Sequence, residues 1–329
     1  MTALPPLRFV PHFTSNIWGG SRLREWLDYP PSSEPTGEAW VLSDVEGSPG
    51  YLPEAIDGMH NLRDMIERIP QRLLGRSALS NGRFPILLKF LDAAQPLSVQ
   101  VHPSNEQAQV LQPDGPGLGK TEAWLVLRAD AGAKLYAGLK AGVTRRDFEV
   151  ALRNRTAPDL LHSYTPHAGD FVFLNAGTVH AIGAGIELFE IQQTSDITYR
   201  LSDWGRVDPK SGLPRELHIA EAFACTDYNA GPCAPLVERG NRPGTTQHLV
   251  DCPYFSLDRH YQIEDAEYGV EGECRVLVCL RNRGVLRWRD RTFPVTPGSV
   301  WVIPAETGPV RLEVRGDTVT LLECTLPAA

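Results

Sequence analysis

The chain has 329 residues, 42% apolar and 22% charged, with 32 Lys and Arg against 40 Asp and Glu, a formal net charge of −8. That composition is ordinary for a globular protein and is long enough for two domains or one large one. The acidic balance excludes broad nucleic-acid binding, which needs a basic surface, and obliges any anionic substrate to meet a local cluster of Lys or Arg.

No apolar run approaches the roughly 18 residues of a membrane span. The stretch "MTALPPLRFVPHF" lacks the basic start and continuous apolar core of a secretory signal. Six cysteines (Cys225, Cys233, Cys252, Cys274, Cys279 and Cys324) fall in the last third with no CxxC pair. The expectation is reduced thiols and a cytoplasmic protein that binds neither membrane nor nucleic acid. The oligomeric state is not encoded in any pattern of this kind. Proline (27) and glycine (29) are spread evenly, which favours many short strands joined by turns over long helices.

In chain order, "AWVLS" (39–43) reads as a strand, and a helical insertion follows around 54–78. Its centre, 61–75, sets Leu62, Met65, Ile66, Ile69, Leu73 and Leu74 at helical spacing, with Pro70 expected to break it. Strands are predicted at 86–93, 97–102, 122–129, 134–139, 170–183, 186–193 and 197–204. Short helices are expected after Pro103, opened by Ser104 and Gln107, and over 144–154, opened by Thr144 and Asp147. Residues 229–247, rich in Gly, Pro and Thr, read as a linker. Further strands follow at 254–263, 274–281, 284–290, 299–305 and 317–326.

Both β-rich blocks carry one unit: a Gly, a short apolar strand and a small-residue turn. It is "GDFVFLNAGTV" from Gly169 and "GSVWVIPAETG" from Gly298. Such a unit is typical of the second half of a cupin barrel, a double-sheet jelly roll. The expected fold is therefore mainly β, two cupin barrels with a small helical insertion. The first barrel would take 1–228 and the second 248–329. His180 follows the turn in the first block; no histidine follows it in the second, so the second barrel is expected to hold no metal.

The stretch "LSVQVH" alternates Leu97, Val99 and Val101 with Ser98, Gln100 and His102. Alternate side chains point to opposite faces of a strand, so a hydroxyl, an amide and an imidazole form one file. A solvent face is the ordinary reading of such alternation, but compact donors, acceptors and metal ligands are unusual there. Gln100, His102, Glu122 at the head of another strand, and His180 are all able to bind a divalent metal. Taken singly, each is an ordinary core or surface group. The other histidines (His12, His60, His162, His167, His218, His248 and His260) lack such a setting and read as structural.

The segments "NIWGGSRL", "GEAWVLSD", "PLSVQVHPSNEQA", "GKTEAWLVL" and "AGTVHAIGAGIELFEIQQTSDITYRLSDWGR" closely resemble type I mannose-6-phosphate isomerases (phosphomannose isomerases) of the short bacterial form. The resemblance runs from about residue 8 to 225 and weakens beyond. It implies a zinc ion, Zn2+, one per chain, on Gln100, His102, Glu122 and His180. It also implies substrate contacts from Ser98 and Lys120 to a sugar phosphate, and a catalytic Arg200. One position departs: Ile182 stands where the longer members have tyrosine. By this reading Ser98, Gln100 and His102 face into the barrel, and Leu97, Val99 and Val101 pack outward against the second sheet.

The implied reaction interconverts an aldose and a ketose phosphate through an enediol. Glu190 and Asp196 are nearby carboxylates that could take the proton, though each also reads as a hydrogen-bonded strand or loop group. Two other classes stay open on the residues alone. His102, Glu122 and His180 form a two-histidine, one-carboxylate set as in non-haem iron oxygenases, and a non-catalytic sugar-binding cupin would share the same frame.

Overall fold

A computed structural model describes residues 3–237 and 243–329. The linker expected at 229–247 therefore lies in part outside the described residues. The fold is mainly β, as the strand-rich sequence predicts, and every strand pairing is antiparallel.

Four sheets form the body. A six-stranded sheet runs in the order His12–Thr14, Glu38–Leu42, Ile86–Ala93, Ile186–Gln193, Glu122–Ala129, Phe171–Leu174. Facing it is a five-stranded sheet of Leu161–Tyr164, Leu135–Leu139, His180–Ile182, Val99–Val101 and Tyr199–Ser202. The later residues form a five-stranded sheet, Thr246–Asp251, Ser256–Gln262, Val319–Thr325, Arg275–Arg281, Val300–Ile303. They also form a four-stranded sheet, Ala266–Tyr268, Val310–Val314, Gly284–Trp288, Arg291–Val295. The order of the first large sheet, after its edge strand, recurs in the second: the last long strand of each half inserts between two earlier ones.

Side-chain alternation explains the layering. Leu88, Phe90, Ala123, Leu125 and Phe189 on one face of the six-stranded sheet join Leu257, Val276, Val278 and Leu322 in one core. The two large sheets thus lie against each other. The opposite face of the six-stranded sheet, with Leu91, Trp124, Val126 and Leu188, meets Leu135, Ala137 and Ile182 of its partner sheet. A third core fills the later pair of sheets with Leu277, Leu286, Trp288, Phe293 and Trp301.

Val99 and Val101 pack with Phe148, Ala222 and Phe223, which lie on the helices Arg145–Arg153 and Ile219–Cys225. This corrects the expectation that they meet the second sheet. The second sheet lies on the side of Ser98 and Gln100, so the outward apolar face takes helices as its cover. Leu97 precedes the strand and belongs to the core between the sheets.

The insertion is only partly helical. Tyr51–Ile56 and Met59–Asn61 pair as a hairpin, and helices begin at Leu62. Asn61 caps Leu62–Arg68 by accepting from the Asp64 N–H, and Pro70 opens the next helix, Pro70–Leu74, as its first residue. Capping boxes at Ser104 with Gln107 and at Thr144 with Asp147 match the sequence signals. Residues of the first half also tie to the second: Leu7 and Val302 exchange backbone hydrogen bonds of 2.7 and 2.8 Å. No helix among the described residues is long and apolar enough to cross a membrane.

Candidate active site

Two rows of polar side chains face each other between the first two sheets. On the five-stranded sheet, cross-strand pairing sets His180 opposite Gln100 and Gln100 opposite Arg200. On the six-stranded sheet, Lys89 is opposite Glu190 and Glu190 opposite Trp124, while Gln192 is opposite Glu122. Cross-strand neighbours on one face lie about 5 Å apart at Cβ, so each row is continuous. Between the rows is a cavity of about 360 Å³ lined in part by Ser98, Gln100, Lys120, Lys89, Glu190 and Arg200.

His102, Glu122 and His180 come together at the edge of this cavity, 2%, 1% and 1% exposed. One potential ligand atom from each lies within 4.8 Å of the others. His102 Nε2 is 3.5 Å from Glu122 Oε2, and His180 Nε2 is 3.3 Å from Oε1. Both imidazoles are oriented through Nδ1, which is 2.7 Å from the Ile197 carbonyl in His102 and 2.9 Å from the Thr178 carbonyl in His180. A ring whose Nδ1–H donates to a carbonyl keeps its Nε2 lone pair as an acceptor, which in His102 faces the Lys120 ammonium at 3.1 Å and could equally take a metal. The turn before His180 requires Gly177, at φ +87°, and the Gly177 N–H donates to the His102 carbonyl at 2.8 Å, joining the two histidine segments. Gln100 completes the group: its Nε2 is 3.3 Å from His180 Nε2, while its Oε1 accepts from the Ser98 hydroxyl at 3.1 Å.

The donor set fits a divalent metal. Burial, then the charges of Lys120 and His180, holds His102 well below the usual imidazole pKa. Burial, then Lys120, brings His180 down to about 4. Both rings are thus neutral at pH 7, the form that coordinates. Glu122 is buried, and beyond the Lys120 ammonium 2.6 Å from Oε2, no donor among the described residues hydrogen-bonds either of its oxygens. A buried carboxylate with so few donors is costly unless something else meets it.

Lys120 is 4% exposed, 2.6 Å from Glu122 and 3.8 Å from Glu190. Burial would lower its pKa, but the two carboxylates raise it, so it stays charged. The resemblance implies that this lysine meets the sugar phosphate; the structure shows its charge already engaged by two carboxylates in the cavity floor. Ser98 and Arg200 line the cavity. Burial and then the neighbouring Arg215 lower the Arg200 pKa. Ile182 also lines the cavity.

Sequence reasoning missed Lys89. It is buried beneath the cavity, 3.3 Å from Asp196, 3.7 Å from Glu38 and 3.9 Å from Glu190, with its ammonium 4.6 Å from the centre of the Trp40 ring. The signal was available: a lysine stands mid-strand in the otherwise apolar "ILLKFL". Glu190 is equally buried, accepts from Trp124 Nε1 at 2.9 Å, and has its pKa raised by burial against the pull of Lys120.

The mannose-6-phosphate isomerase ManA of Bacillus subtilis is 31% identical to this chain over 309 residues, 94% of the chain and 96% of that protein. The chain belongs to the type I phosphomannose isomerase family. Its residues 7–121 match the model of the type I phosphomannose isomerase catalytic domain. A mannose-6-phosphate isomerase of Streptococcus mutans is 39% identical over 254 residues, 77% of each chain. The crystal structure of the Bacillus subtilis mannose 6-phosphate isomerase superposes with a TM-score of 0.87 at 28% identity, covering 98% of this chain and all of that one. A putative mannosephosphate isomerase from Archaeoglobus fulgidus, 21% identical over 99% of each chain, shares the fold at a TM-score of 0.78. Membership makes the chain an isomerase and sets aside the oxygenase and the non-catalytic sugar-binding cupin. The likeness to ManA also extends across nearly the whole chain, beyond the point near residue 225 where the sequence resemblance weakens.

Proposed function

We propose that this isomerase interconverts mannose 6-phosphate and fructose 6-phosphate through an enediol, with one zinc ion held by Gln100, His102, Glu122 and His180. The observation that carries the reading is the buried pair of neutral imidazoles around a carboxylate short of donors, set beside a polar cavity in a chain whose relatives are mannose-6-phosphate isomerases. Three protein ligands plus an amide oxygen suit zinc. Gln100 would present that oxygen after half a turn of its amide, a choice the hydrogen-bond network decides. When bound, the metal supplies Lewis-acid support to a substrate oxygen.

The remaining work falls to the chain. Ser98 and Lys120 contact the sugar from the cavity wall and floor. Glu190 and Asp196 are the lining carboxylates able to take the proton that moves between C2 and C1, and Lys89 lies within reach of both. Arg200, next to Gln100 across the sheet, places positive charge where the enediolate develops.

The later half, 248–329, is read as a second barrel without metal, following the first at 1–228. Its repeated strand order supports this, as does the register: Glu122 lies between Gln192 and Leu174, and the corresponding place between Thr325 and Ile303 is held by Arg275. A guanidinium is not a metal ligand. The six cysteines are free thiols, which suits a cytoplasmic location. Turnover of mannose 6-phosphate by purified protein tests the reading, with metal analysis and with the reaction run in deuterated water. Solvent label at C1 or C2 of the product is expected. Binding of the sugar phosphate without conversion under any divalent metal would overturn it.

A further inference from the structure

The cavity has a second cationic element beyond the lysines in its floor. Arg215 lines it beside Arg200. Arg215 is braced by Asp203: its Nε donates to Oδ2 at 2.8 Å, and an Nη2 contact to Oδ1 closes a bidentate fork. Arg206 donates to the same Asp203 oxygen. Arg200 donates from Nη1 to the Glu216 carbonyl at 2.9 Å. Among the described residues Asp203 is the carboxylate these groups bond to, while Glu216 offers Arg200 its backbone carbonyl and adds an exposed carboxylate nearby, so three guanidinium groups face at most two carboxylates on a chain of net charge −8.

That excess has a cost. Burial and the like charges of Arg215 and Arg206 lower the pKa of Arg200. Among the described residues, Arg200 Nε and Arg206 Nη1 are buried and lack an acceptor. Buried donors without acceptors are uncommon in a folded protein, and surplus positive charge beside a cavity favours an anionic group there. Lys120 by contrast has two carboxylates, Glu122 and Glu190, at 2.6 and 3.8 Å, whereas Arg215 and Arg206 share the single carboxylate of Asp203.

We propose that Arg215, held in place by Asp203, is the residue that reads the phosphate of the sugar phosphate, with the phosphate seated against the Arg215 guanidinium rather than on Lys120. The inference rests on the isomerase reading for the identity of the sugar but not for the anion. Asp203 takes the Nε and Nη2 side of the Arg215 guanidinium, and the end of the group that Asp203 does not occupy can meet phosphate oxygens with charge-assisted N–H bonds. The two arginines then divide the substrate. Arg200, beside Gln100, reaches toward the reacting carbons, and Arg215 fixes the other end.

The test compares wild type, Arg215→Ala and Arg215→Lys, all zinc-loaded. The probes are inorganic phosphate as ligand and competitive inhibitor, and mannose 6-phosphate and unphosphorylated mannose as substrates. Arg215→Ala should raise KM for mannose 6-phosphate at least tenfold with a much smaller change in kcat. It should weaken inhibition by inorganic phosphate by a similar factor and reduce the preference for mannose 6-phosphate over mannose. Arg215→Lys keeps the charge and should recover part of the phosphate affinity. Full zinc content and an unshifted melting temperature separate this from misfolding; if Arg215→Ala fails to fold, Arg215→Lys against wild type carries the comparison. Equal inhibition by inorganic phosphate in wild type and both variants, with KM unchanged, overturns the inference. Loss of phosphate binding in Arg215→Ala by a wild type that does not isomerise mannose 6-phosphate would keep the anion site and remove the isomerase reading instead.

Discussion

Lys89 and Lys120 both approach one oxygen, Oε1, of the buried Glu190 carboxylate, at 3.9 and 3.8 Å. Each cation has a further partner, Asp196 for Lys89 and Glu122 for Lys120. The cavity floor is thus an alternating chain of charge, Asp196, Lys89, Glu190, Lys120, Glu122, that ends among the candidate metal ligands. With Glu38 also 3.7 Å from Lys89, the floor holds more carboxylates than lysines, so removing either lysine leaves a buried carboxylate short of its cation.

Lys89→Met removes the charge while keeping much of the volume. Losing one partner of a buried ion pair costs roughly 3–5 kcal/mol, so chemical denaturation should show a stability loss of about that size. Zinc content should stay at one per chain, because Lys89 touches none of the proposed ligands. Turnover should fall as Glu190 and Asp196 lose their shared cation. Unchanged denaturation and kinetics would remove Lys89 from the site.

His102→Ala and His180→Ala should each abolish stoichiometric zinc and activity together. In wild type a chelator should do the same reversibly, with zinc restoring turnover. Full zinc occupancy in either variant would refute the ligand assignment.

The metal-free protein should lose stability as pH falls. In the unfolded chain an imidazole titrates at about 6.5; in the fold, burial brings His180 down to about 4 and holds His102 well below the usual imidazole value. Between these values the unfolded state binds more protons than the folded one, so stability rises with pH across that window and is lost as pH drops from about 6.5 toward 4. Urea midpoints of the zinc-stripped protein at pH 7 and pH 5 check this. An equal or higher midpoint at pH 5 in wild type, with His102→Asn and His180→Asn behaving alike, would show that these rings are not buried neutral.

Arg200→Ala should lower kcat by more than it raises KM, because its charge matters most once the enediolate forms. Steady-state kinetics on mannose 6-phosphate reads the split directly. A pure KM effect would move Arg200 to substrate binding alone.

What the sequence made legible was the local pattern. The alternation in "LSVQVH" brought Ser98, Gln100 and His102 to one face, and the structure keeps Ser98 and Gln100 on the cavity and brings His102 beside Glu122. The helix caps at Ser104 and Thr144 were legible for the same reason, since each is a four-residue signal. Lys89 escapes a local reading because "ILLKFLDA" signals only a strand at 86–93. What a mid-strand lysine meets depends on Glu38 and Glu190, strands remote in sequence that only the sheet order makes neighbours. Arg215 escaped because it lies outside any strand, in the segment after Tyr199–Ser202, and only its approach to Asp203 marks it. Val99 and Val101 were placed against the wrong layer because alternation distinguishes two faces without saying which of them a helix will cover.

The pairing of Leu7 with Val302 sets a timetable for synthesis. The two residues are 302 − 7 = 295 positions apart. At about 5–20 residues per second, roughly 15–60 seconds pass on the ribosome before the segment around Leu7 can meet its partner. During that wait its apolar side chains must be held by other early segments or by a chaperone. Once emerged, Val300–Ile303 is an outer strand whose free edge could recruit another chain until Leu7 covers it. Closing that edge is therefore among the last steps of folding, and a nascent chain stalled before residue 302 would leave the Leu7 segment without its seat.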